Sequence, residues 1–329
     1  MTTLESNSPW PGPKGMIPVT SGRPDDANVI TRRYLDQILV EMRAIDATMP
    51  ELTTEIFGRL YSTPLMMPAF SHLNKVLKEG RKPMNEYAEV AKEMNMLNWV
   101  GMESNDDYAD IVSCGAPTIR IIKPFQDHDL ILEQIAFAES HGAVAVGVDI
   151  DHVPGKNGQY DAPDGMQLGP VMLEDLKRYV EAAHVPFVAK GVLSVQDALK
   201  CRDAGCRAVL VSHHHGRLPY AIPPVAILPA IKEALKGSGM QIFCDCHIDS
   251  GYDAYKALAM GADAVAPGRS ILAPLLKMGK DGVKDKLCKM NNELKEMKPY
   301  TGIKDTHSFD PTVSHNTKLS RSWQVPSYP

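Results

Sequence analysis

Residues 212–217 read Ser212-His213-His214-His215-Gly216-Arg217 and follow directly on the apolar run Ala208-Val209-Leu210-Val211. Three imidazoles and a guanidinium therefore stand at the exit of a buried strand, where α/β enzymes keep their chemistry. An imidazole ordinarily titrates near neutral pH and suits a general base. A planar guanidinium grips a carboxylate through two parallel hydrogen bonds and so fixes the orientation of the neighbouring carbon. Lys190 ends a second apolar run, Phe187-Val188-Ala189-Lys190, and Asp245 a third, Ile242-Phe243-Cys244-Asp245, with Cys246 and His247 behind it. His213, His215, His247 and Cys246 hold enough nitrogen and sulfur for a transition metal. Successive residues of an extended segment face opposite sides, however, so adjacent histidines converge only if the loop coils, and no standard ligand spacing is present. No metal is expected.

The elements that must position these groups follow one another in alternation. Short apolar runs at Leu65-Met66-Met67-Pro68, Leu97-Asn98-Trp99-Val100, Ile119-Arg120-Ile121-Ile122, Val144-Ala145-Val146-Gly147-Val148, Phe187 onward, Ala208 onward, Ile242 onward and Ala262-Asp263-Ala264-Val265 make eight candidate strands. Helical patterns lie between several of them, at 130–140, 173–183, 195–204 and 253–260. Strands buried on both faces and joined by helical crossovers require a parallel sheet, and eight units close a (β/α)8 TIM barrel. An open doubly wound sheet is the runner-up. The expected layout is one α/β domain over 1–329: an N-terminal arm and helix at 1–45, the barrel at 60–280, and a C-terminal helix and tail at 281–329. The arm is proline-rich. Over 26–42 the residues Val29, Ile30, Tyr34, Ile38, Leu39 and Met42 fall on one stripe, predicting a helix docked against the barrel.

Composition excludes several partners. A formal net charge of −5 with no basic block argues against a nucleic-acid surface. No apolar run is long enough to cross a bilayer, and the first residues lack a signal-peptide pattern, which points to the cytoplasm. Six cysteines are too few for a disulfide scaffold. The expected partner is a small carboxylate.

Four ordered segments now carry a resemblance: Lys190-Gly191-Val192-Leu193, Val211 through Arg217, Asp245 through Asp253, and Pro267-Gly268-Arg269. Thr20-Ser21-Gly22, Pro64 through Ala69 and Tyr300-Thr301-Gly302 extend it outward. The chain resembles the FMN-dependent 2-hydroxy acid oxidases and dehydrogenases, which include glycolate oxidase and lactate oxidase. The resemblance implies an FMN cofactor and a homo-oligomer, often a tetramer. It places the catalytic base on His214 and the substrate-carboxylate arginine on Arg217. It places cofactor contacts on Pro68, Ala69, Lys190, Ser212, Asp245, Gly268 and Arg269, with Lys190 beside the flavin's pyrimidine ring. The acid that orients the histidine falls on Asp149 or Asp151, of which Asp151 is taken forward.

Departures from the family pattern bear on the same site. Cys246 and His247 stand where the family has glycines, and Asp249 where it has a phosphate-gripping arginine. Ile121-Ile122-Lys123 aligns with Gln-Leu-Tyr, which puts Lys123 in the place of a substrate-contacting tyrosine. The second substrate arginine falls in Gly155-Lys156-Asn157-Gly158 and is missing, with Lys156 as a possible deputy. The segment 155–169 is short for the family's loop. These changes imply an FMN-dependent oxidoreductase for an unusual 2-hydroxy acid or related carboxylate. The competing readings are a barrel of the same ancestry turned to isomerase, lyase or hydrolase chemistry, with or without a metal, and a non-catalytic barrel.

Overall fold

A computed structural model describes residues 23–49, 51–77, 80–152, 158–303 and 309–316. Helix α1 (Ala27–Asp36) opens the described chain, its N-terminus capped by the Asp26 carboxylate, which accepts from the Asn28 N–H. The helix predicted over 26–42 stops at Asp36. Ile38 and Val40 are β-branched, and the segment β1 (Ile38–Val40) pairs antiparallel with the returning tail, β11 (Ser314–Asn316). Leu39 and Met42, which the helical stripe would have buried, are 54% and 73% exposed.

A short hairpin follows, β2 (Thr54–Ile56) and β3 (Arg59–Tyr61), turned by Phe57 and Gly58 with φ of 51° and 75°. Two left-handed residues in succession match the right-handed twist of the flanking strands. Ile56, Phe57 and Tyr61 pack into the same cluster as the barrel interior, and the Phe57 ring meets Phe243 edge-on with centroids 5.9 Å apart. The hairpin thus plugs one end of the barrel.

Seven strands pair in parallel and in chain order: β4 (Asn98–Val100), β5 (Thr118–Ile122), β6 (Ala145–Asp149), β7 (Phe187–Val192), β8 (Ala208–Val211), β9 (Gln241–Cys244) and β10 (Ala264–Val265). The eighth position is held by residues 64–67. Met66 N–H donates to the Val265 carbonyl at 2.8 Å and Val265 N–H to that of Pro64 at 2.9 Å, while Met67 N–H donates to the Leu97 carbonyl at 2.9 Å. One segment therefore bonds to both edge strands and closes the cylinder. Pro64 and Pro68 lack N–H donors, which keeps this strand short.

Helices α2 (Pro83–Glu93), α3 (Asn105–Val112), α4 (His128–Ser140), α5 (Leu173–Ala182), α6 (Val195–Asp203), α7 (Pro224–Ala234), α8 (Gly251–Ala259) and α9 (Arg269–Met297) follow the eight strands in turn. Ser104, Ser194 and Ser250 cap α3, α6 and α8, each accepting the N–H of an aspartate three residues on. The C-terminal helix begins at Arg269, not near 281, and breaks at Gly279, where φ is 64°. Two apolar layers result. Leu97, Trp99, Ile119, Ile121, Val188, Leu210 and Phe243 fill the barrel interior, and a larger cluster seals strands to helices. No helix among the described residues is long and apolar enough to cross a membrane.

Gly147 on β6 marks the tightest strand contact, since a Cβ there would lie 2.1 Å from the Val188 carbonyl oxygen. Backbone cannot yield as a side chain can. Gly147→Ala is expected to destabilise the protein by about 3 kcal/mol, read as a lower urea midpoint with unchanged m-value.

Candidate active site

The carboxyl ends of the strands converge on one mouth. Asp149 ends β6 and is fully buried between two lysines: Lys123 Nζ, just past β5, donates to its Oδ2 at 2.5 Å, and Lys190 Nζ, on β7, donates to its Oδ1 at 2.5 Å. Burial opposes its charge, but the two ammonium groups hold the Asp149 carboxyl well below the usual carboxylate range. The lysines diverge although they share this partner. Burial prevails at Lys123 and lowers its pKa. At Lys190 burial is outweighed by Asp149, Asp151 and Asp245, which hold the ammonium above the usual lysine range.

A bulge at Lys190–Val192 lets Asp151 in. Gly191 there has φ of 92°, and a Cβ would lie 2.5 Å from Asp151 Cγ, so only glycine allows the Asp151 carboxylate to pack over this strand. Both Asp151 oxygens lie 3.0 Å from His214 Nδ1, whereas Asp149 is 4.0 Å away. Of the two candidate acids, Asp151 is the one bonded to the imidazole. The carboxylate accepts, so Nδ1 carries the proton and Nε2 the lone pair.

The histidine loop does coil, with φ of 45°, 62° and 80° at His214, His215 and Gly216. Its three imidazoles separate. His213 is buried; its Nδ1 accepts from the Gly216 N–H at 3.1 Å and its Nε2 faces the Thr31 hydroxyl of α1 at 2.9 Å. This is a satisfied structural histidine. His215 Nδ1 accepts from Arg269 Nη2 at 3.2 Å, and His247 Nδ1 lies 3.4 Å from Asp249. Of the alternative metal set, only His213 and Cys246 meet, at 3.4 Å. Asp149, His152 and His214 do present ligand-type atoms within 4.8 Å of one another among the described residues. The Lys123 ammonium already sits in that group, 2.8 Å from His152 Nε2.

Sequence reasoning missed His152 and Asp161. His152 is buried one residue beyond Asp151 and receives hydrogen bonds from Lys123 and, at 3.4 Å, from Arg217 Nη1. Its place at a strand exit was the available signal. Arg217 Nη2 pairs with Asp161 at 2.9 Å. Ser212 turns its hydroxyl inward to accept from the His214 N–H at 3.0 Å, and so shapes the loop. Helix α1 also reaches the mouth: Asn28 accepts from Arg269 Nη2 at 2.9 Å, and Arg32 forms a two-pronged pair with Asp253 and lies 3.8 Å from Asp249. Thr20-Ser21-Gly22 and Lys156 lie outside the described residues.

A cleft enclosing about 690 Å³, part of it open to solvent, runs along this mouth. Pro68, Ala69, Lys190, His214, Asp245, Gly268 and Arg269 line it, with Asn28, Phe70, His215, Cys246, His247, Asp249 and Ala266. Two of these leave buried nitrogens without hydrogen-bond partners among the described residues, Arg269 Nε and His247 Nε2. Asp249 faces Arg32 and His247; burial opposes its charge, but His247, Arg32 and Lys286 hold its carboxyl below the usual range.

The barrel mouth thus presents a carboxylate-held imidazole and a charged lysine beside a cleft with an unpartnered arginine nitrogen, the equipment of an α/β-barrel enzyme. A family model of FMN-dependent dehydrogenases matches residues 25–172 and 161–316. The chain belongs to that family, and its cofactor is FMN. It is 27% identical over 308 residues to a 2-hydroxyacid oxidase of Dictyostelium discoideum (84% of this chain, 78% of that protein). It is 26% identical over 310 residues to an L-lactate oxidase of Nostoc (82% and 84%). A mandelate oxidase solved with (S)-2-phenylpropionate superposes with a TM-score of 0.78 at 25% identity, covering 88% of this chain and 89% of that one. The residues present fit FMN. The orphaned Arg269 Nε–H suits a phosphate, Lys190 suits the negative charge that a reduced flavin carries on its pyrimidine ring, and Asp249 is held by Arg32 and His247.

Burial pushes the pKa of His213 down to about 4 and that of His152 down to about 3. Both start near 6.5 when unfolded, so the unfolded chain gains protons first as pH falls. Stability should therefore drop from pH 6.5 towards 4, by up to about 1.4 kcal/mol per pH unit for each imidazole. Urea midpoints at pH 7 and pH 5 check this, with His213→Gln losing less between them than the unaltered protein.

Proposed function

We propose that this FMN-dependent enzyme oxidises a 2-hydroxy acid other than glycolate or lactate, or a related carboxylate, to the 2-oxo acid. The observation that carries this is His214, its Nδ1 held by both Asp151 oxygens at 3.0 Å at the edge of the cleft. With Nδ1–H committed to Asp151, the Nε2 lone pair takes the proton of the substrate hydroxyl, and the carboxylate steadies the imidazolium that forms. FMN, when bound, supplies the two-electron acceptor for the hydrogen leaving the α-carbon. Lys190 would hold its pyrimidine edge, and Arg269 its phosphate. Pro68 and Ala69 would border the ring, and Asp245 and Gly268 complete the wall.

Arg217 is the carboxylate clamp in this reading, supported by its link to the His214 cluster through His152. Lys123 contributes positive charge near the substrate, and its buried pairing with Asp149 supports a substrate different from those met by a tyrosine at that position. The same reading carries a homo-oligomer, a tetramer by analogy, in the cytoplasm, with one domain over the whole chain. Six unpaired cysteines support the reducing compartment.

The test is His214→Ala. Turnover of 2-hydroxy acids should fall by about 10²–10⁴-fold while flavin absorbance per chain stays unchanged. Turnover retained at the original rate would remove His214 as the base.

A further inference from the structure

The clamp arginine already holds a carboxylate from its own chain. Asp161 Oδ2 accepts from Arg217 Nη2 at 2.9 Å and lies 3.2 Å from His152 Nδ1. The tautomer of His152 follows from its neighbours. Lys123 is a pure donor and lies on Nε2, so Nε2 carries the lone pair and Nδ1–H donates to Asp161. Arg217 Nη2 and His152 Nδ1 together form a two-donor seat that is made for a carboxylate.

Charge balance indicates how this seat is used. Contacts of 4.0 Å or less link the cations Lys123, Lys190 and Arg217 to the carboxylates Asp149, Asp151 and Asp161, through His152 and His214. Three positive charges thus meet three negative ones. An incoming substrate carboxylate would leave one negative charge uncompensated at a partly dry site unless one of the three withdrew. Asp149 and Asp151 cannot withdraw, with side chains 3% and 15% exposed and lysine and histidine partners of their own. Asp161 is 36% exposed and sits on the loop between β6 and α5, outside the barrel wall. Its backbone stays docked, the carbonyl accepting from the Leu168 N–H at 2.8 Å, so rotation of the side chain alone would clear the seat.

We propose that Arg217 Nη2 and His152 Nδ1 are the seat of the substrate's carboxylate, occupied by Asp161 until the substrate displaces it. This rests on the reading of Arg217 as the clamp and goes beyond it in two ways. His152 becomes a substrate-binding residue, standing in for the second arginine that the chain lacks. Asp161 becomes an internal competitor that sets affinity for every carboxylate the site accepts.

Calorimetric titration of the purified holoenzyme with oxalate, a small rigid carboxylate with oxygen on the adjacent carbon, tests this without turnover. Asp161→Asn should tighten oxalate binding about tenfold, because the competing charge is gone while the side chain keeps its shape. His152→Leu should weaken it about tenfold, and His152→Asn, which restores a donor near the Nδ1 position, should recover most of the loss. Oxalate binding that is unchanged or weaker in Asp161→Asn would overturn the proposal, since a carboxylate that merely orients Arg217 would be missed, not outcompeted. Arg217→Gln separates the two levels. If it leaves oxalate binding intact, the clamp reading has failed; if it abolishes binding while Asp161→Asn gains nothing, only the displacement idea has failed.

Discussion

Asp149 is the group on which the mouth of this barrel depends. A carboxylate buried at the end of a central strand is costly unless it is paired and hydrogen-bonded, and here one lysine takes each oxygen. That arrangement ties β5, β6 and β7 together at their carboxyl ends. It also fixes where positive charge can stand. Lys190 is held facing the cleft, and Lys123 is drawn under His152, so the neutral imidazole, Arg217 and Asp161 follow in order. Removing one partner of such a buried set typically costs about 3–5 kcal/mol, which makes these strand ends a rigid platform and not a loose rim.

A second constraint comes from conformations that side chains seldom adopt. His214, His215, Cys246 and His247 all have positive φ, as Gly191 does. Cys246 and His247 stand where the family pattern has glycines, and their left-handed backbone carries a local cost of the order of 1–3 kcal/mol per strained residue. The helix α1 helps hold this geometry, with Thr31 on His213, Asn28 on Arg269 and the carbonyl of His215, and Arg32 on Asp253. Where the family pattern sets an arginine, this chain has a carboxylate beside His247 and Arg32, with the buried Nε–H of Arg269 left without a partner among the described residues.

Much of the architecture was legible because the barrel repeats one physical solution eight times. Apolar runs such as 208–211 must be buried on both faces, and the helical patterns at 195–204 and 253–260 lie between such runs. The hairpin at 54–61 was not foreseen: its strands are three residues long and its turn is Phe57-Gly58, without the Asn or Asp that usually signals two left-handed residues. The helix at 26–42 was overextended because a helical stripe and a strand share apolar residues, and the pairing of Ile38 through Val40 with the tail is decided by residues more than 270 positions away.

By itself the sequence determined the parallel barrel, the family and the flavin, and it singled out His214, Arg217 and Lys190 as candidates, because strand-end residues in a fixed order can be read locally. It also showed that Asp249 and Lys123 depart from the pattern. Only the tertiary structure decided that Asp151 and not Asp149 holds His214, that His152 and Asp161 meet Arg217, and that the three adjacent histidines serve three different neighbours. Those outcomes turn on the bulge at Gly191, the left-handed coil at 214–216 and the approach of Asp161 to His152 and Arg217. Distance in space, which no local pattern encodes, sets hydrogen bonds and charge pairs.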